Sequence, residues 1–157
     1  MLFEPIAVVG QSCILPGALD PAQLWDLVLA GQVMVSSVPP GYWRLAPSTI
    51  LSPPGNKAKD RTWSDRGGYV RGFNERFDAT GFLLPPDEIR RLDVGMQWVL
   101  HGVREALVSA GLAAPLPLAS PRTGLVLGNL SYPTPGLVEF AEATWFGAQA
   151  PGVPRPP

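Results

Sequence analysis

The chain has 157 residues, enough for one domain with a sizeable core, and its 46% hydrophobic content can fill one. Twelve basic residues against thirteen acidic ones give a net charge of −1, without the basic excess of a nucleic-acid binder. One cysteine excludes an internal disulfide and any all-cysteine metal site.

The N-terminus, Met1-Leu2-Phe3-Glu4-Pro5, has neither a basic segment nor a long apolar one, and no signal peptide is expected. No stretch reaches the roughly 20 apolar residues of a bilayer span, and a soluble cytoplasmic protein is expected. Ile6 to Val9 is a short, wholly apolar run ended by Gly10. Such a run predicts a strand covered on both faces, as in the middle of an α/β sheet. Pro16-Gly17 then signals a turn. Asp20 and Pro21 suit the N-cap and first position of a helix, and Gln23 the reciprocal half of a capping box. Leu24, Leu27 and Val28 line one face of it, Trp25 and Leu29 widen that face, and Gly31 ends it. Trp25 is read as core packing.

Residues 32–77 are rich in loop signals, with turn clusters at Pro39-Pro40-Gly41 and Pro53-Pro54-Gly55. Ser52 to Arg61 reads as an exposed polar excursion. Trp63 to Phe73 interleaves aromatics with Arg66 and Arg71 around Gly67-Gly68. A single copy in a chain without positive charge argues against RNA binding. A short hairpin or strand-like loop packing Tyr69, Val70 and Phe73 is the better reading. Pro85-Pro86-Asp87-Glu88 opens the strongest helical segment, with its acidic residues at the positive end of the dipole. Leu92, Met96, Val99, Leu100, Val103, Leu107 and Ala110 form one apolar stripe up to Gly111. Asp93 predicts a division into a short helix and a longer one. Met96 and Trp98 are read as packing.

Ala113 to Pro121 reads as a proline-punctuated linker. Gly124 to Leu127 reads as a second buried strand, Asn129 to Pro133 as a loop. Thr134 and Pro135 predict another helix start, with Leu137, Phe140, Ala141 and Thr144 on one face up to Gly147. Residues 148–157 hold four prolines and no periodicity, and read as a tail.

Little in these residues carries chemistry. The glycines around Gly10 to Gly17 lack both nucleotide-cradle patterns. Cys13 needs a base or an electropositive site to become a nucleophile, and a structural, partly buried thiol is the better reading. His101, on the long helix, reads as a surface or packing histidine. One histidine and one cysteine cannot supply a three-ligand zinc site. No carboxylate pair stands in a recognisable acid–base setting.

The order of segments is more informative. Pro5-Ile6-Ala7-Val8-Val9-Gly10, Cys13, Pro16-Gly17 and the Leu24-Trp25-Asp26-Leu27 helix resemble the start of a β-ketoacyl synthase domain. So do Val38-Pro39 with Tyr42-Trp43, Gly67-Gly68-Tyr69-Val70, Arg76-Phe77-Asp78-Ala79 with Phe82, Asp93, Arg104-Glu105-Ala106-Leu107, Ala110-Gly111, and Arg122 to Gly128. Val94-Gly95-Met96-Gln97-Trp98 stands where a Pro-Gln-Gln-Arg pattern is usual. That departure resembles the ketosynthases of polyunsaturated fatty acid and modular polyketide synthases.

The resemblance implies an α/β, thiolase-like fold, layered α-β-α-β-α, of which residues 1–147 would be an incomplete N-terminal region and 148–157 a proline-rich tail. It implies decarboxylative Claisen condensation of an acyl thioester with a malonyl thioester on an acyl carrier protein, with the acyl groups linked through phosphopantetheine. It further implies the remainder of a synthase as partner, and a homodimer. The family's nucleophilic cysteine lies in a Thr-Ala-Cys-Ser-like elbow and two histidines follow it. Neither the elbow nor those histidines has a counterpart here, and Cys13 matches an early, non-catalytic cysteine. No catalytic, cofactor-binding or metal residue is therefore assigned, and the chain is expected to be inactive alone. The other expectation is a stand-alone, non-catalytic docking or dimerisation module.

Overall fold

A computed structural model describes residues 5–55, 58, 61–112, 124–128 and 134–149. Its elements run α1 (Pro21–Leu29), β1 (Val35–Ser37), α2 (Pro47–Ile50), β2 (Arg66–Gly68), α3 (Phe73–Arg76), α4 (Pro86–Arg91), α5 (Val94–Ser109) and α6 (Pro135–Gln149). The chain divides into two compact units, Met1–Asp78 with Gly102–Leu112, and Ala79–His101 with Ala113–Pro157.

In the first unit, local chemistry sets the helix ends. The Asp20 carboxylate accepts from the Gln23 N–H at 2.9 Å, and Gln23 Oε1 accepts from the Leu19 N–H at 2.8 Å. The reciprocal arrangement thus forms one residue further out than a standard capping box. At the far end the Gln32 N–H donates to Leu27 O and the Gly31 N–H to Val28 O, with Gly31 at φ +59°. This is a Schellman closure, whose left-handed residue is least strained as glycine. Before α1, Leu15 and Ala18 exchange two backbone hydrogen bonds around Pro16-Gly17, and Ala18 is fully buried. Pro16 lies against Gly68 and Met34 against Gly17, so this turn is tied to β1 and β2.

β1 and β2 pair antiparallel, Val35 opposite Gly68 and Ser37 opposite Arg66. The aromatic–glycine stretch is therefore strand-like, as expected, but its partner is thirty residues upstream and not a local hairpin. Tyr69 meets Tyr42 edge-on at 5.2 Å, and its hydroxyl donates to Asp65 O at 2.8 Å. Phe73 is buried and stacks on Phe77 at 5.3 Å. The polar excursion is closed at its neck: the Ser52 N–H donates to Thr62 O, the Thr62 N–H to Ile50 O, and Arg61 to Leu51 O. Pro53 to Gly55 are exposed as expected, while Lys57, Lys59 and Asp60 lie outside the described residues.

In the second unit the division at Asp93 is formed. Asp93 Oδ1 accepts from the Gly95 N–H at 2.9 Å and Asp93 O from the Gln97 N–H, starting α5 afresh after α4. The Gln97 amide reaches back to Arg90 O and Leu92 O, satisfying carbonyls at the end of α4. Ala79, Ile89 and His101 are buried, and His101 is thus a packing histidine. Thr134 caps α6 through the Leu137 N–H, and the helix continues past Gly147 to Gln149. The 113–121 linker, the 129–133 loop and 150–157 lie outside the described residues.

Several expectations of burial fail. Residues 6–9 and 124–127 form no strand, and their side chains are exposed: Ile6 and Val8 by 88%, Val126 by 95%. The physical reason is that a strand apolar on both faces is made by its neighbours, and no central sheet forms among the described residues to receive it. Trp25 is 62% exposed, not core, because it lies off the Leu24–Leu27 stripe that α1 turns inward. Met96 and the predicted α6 face, Leu137 and Phe140, are exposed as well.

Candidate functional site

The loop after the first apolar run is fastened to the last turns of α5. Gly10 makes the closest approach: a Cβ there would run into the Ala106 carbonyl oxygen and lie 2.9 Å from Ala110 N and Cβ. The Gln11 N–H donates to Ser109 Oγ at 3.3 Å, and Ser12 Oγ donates to Gly102 O at 2.7 Å. Between this loop, the start of α1 and α5 lies a cavity of about 330 Å³, lined by residues that include Ser12, Asp20, Glu105 and Ser109.

Two carboxylates and two hydroxyls stand in a lining that is otherwise mostly apolar, and these groups are engaged. Asp20 caps α1 and meets Arg76 at 3.4 Å; Glu105 lies 3.8 Å from Arg104. Ser12 is spent on the α5 backbone. What the arrangement does chemically is hold the loop to the helix. Sequence reasoning identified Asp20 only as a cap. Nothing in local spacing links it to Glu105, 85 positions away, so the cavity had no sequence signal.

Cys13 sits in the same loop, half-buried and without a disulfide. Burial pushes its thiol above the ordinary value, and the negative charge of Asp20 pushes the same way. An acyl-accepting cysteine needs the opposite environment, one that favours the thiolate. His101 belongs to the second unit, where it is buried. Among the described residues no three His, Cys, Asp or Glu side chains are grouped to hold a metal ion. No helix among them is long and apolar enough to cross a membrane.

Comparison with known proteins gives this loop-and-helix frame its place. Residues 3–145 match the family model described as Beta-ketoacyl synthase, N-terminal domain, and the chain belongs to that family. Among curated relatives, the Highly reducing polyketide synthase PKS6 of Gibberella zeae is 36% identical over 127 residues, covering 80% of this chain and 5% of that protein. The Phenolphthiocerol synthesis polyketide synthase type I Pks15/1 of Mycobacterium marinum is 36% identical over 126 residues, 80% of this chain and 6% of that one. A solved structure, the PfaC Keto synthase-Chain length factor, superimposes with a TM-score of 0.59 at 32% identity, covering 66% of this chain and 11% of its own. The chain thus spans about a twentieth of the length of the curated relatives it matches first. The expected class, a partial thiolase-like α/β fold of polyketide or polyunsaturated fatty acid synthase type, is borne out by these likenesses.

Proposed function

We propose that the chain is the N-terminal portion of a β-ketoacyl-[acyl-carrier-protein] synthase, an acyltransferase of decarboxylative Claisen condensation, and that alone it forms no acyl-enzyme. In that reaction a thiolate attacks an acyl thioester, expels the carrier's thiol and holds the acyl group until a decarboxylated malonyl unit takes it. The observation that carries the reading is the family match over residues 3–145, in a chain whose single thiol, Cys13, lies in a loop held on α5 by the Gln11–Ser109 and Ser12–Gly102 hydrogen bonds. Residues 1–147 are the synthase-like region and 148–157 a proline-rich tail. The acyl carrier protein, with its phosphopantetheine-linked acyl groups, and the remainder of the synthase are its partners. Its place is the cytoplasm.

The apolar side chains exposed at 6–9 and at 125–127 favour a contact role besides, since large apolar side chains clustered on a surface mark interaction sites. The second reading is a stand-alone, non-catalytic docking or dimerisation module for a synthase, with these runs as its contact surface.

The test is incubation of the purified chain with an acyl thioester, read by intact mass. An unchanged mass is expected. A stable thioester on Cys13 would overturn the reading.

A further inference from the structure

We draw no further inference here: the strongest candidate, the exposed apolar face of α1 formed by Trp25, Val28 and Leu29, carries nothing because nothing in the structure shows what covers it.

Discussion

The helix α5 mixes apolar and polar residues while the run Ile6–Val9 is wholly apolar, yet it is the helix that forms and the run that stays exposed. α5 starts on the Asp93 carboxylate and ends in a second Schellman closure, Leu112 N–H to Leu107 O and Gly111 N–H to Val108 O, with Gly111 at φ +73°. Every bond of that kind lies within a few residues of its partner, so the helix's backbone hydrogen bonding is set within its own sequence, while packing adds stability. A strand has no internal ladder; its backbone groups must be met by another strand. The run therefore stays unpaired and exposed while the residue just after it, Gly10, is clamped on α5. Apolar composition says what ought to be covered, and only the neighbouring chain decides whether it is.

Substitutions can break this contrast. The largest effect belongs to the packed part: Phe73→Ala removes a buried ring stacked on Phe77 and should cost about 3–5 kcal/mol, read as a lower urea midpoint. A loss under about 1 kcal/mol would mean that the Phe73 ring is not packed as a buried residue. Next comes the clamp. Gly10→Ala sets a methyl against the Ala106 carbonyl, backbone that cannot swing aside, and should cost about 1–3 kcal/mol. An unchanged midpoint would show that the loop does not lie on α5. Smallest is the run itself: Val8→Ser should shift stability by no more than about 0.5 kcal/mol, as for an exposed site. A drop of 2 kcal/mol or so, the scale of burying a valine, would place Val8 in a core after all.

Legibility from sequence follows the same division. The caps at Asp20, Asp93 and Thr134 and the left-handed glycines at 31 and 111 could be read because cap, partner and consequence are neighbours. The order of segments was enough to indicate the family. The pairing of Val35 with Gly68 could not be read, since both strands are three residues long and one is largely glycine. Nor could the exposure of Trp25 be read, because an aromatic on a widened apolar face looks like core until the opposing layer is known. The cavity joins Ser12 and Asp20 to Glu105 and Ser109, a meeting made by long-range contacts of the Gly10–Ser12 loop with α5.

The most direct measurement is amide hydrogen exchange of the isolated chain, resolved to single residues. The account predicts near-unprotected exchange at Val8, Val9 and Leu125 to Leu127, beside strong protection along α5. Protection of those amides equal to that of α5 would contradict it, by placing both runs in a sheet the chain completes for itself.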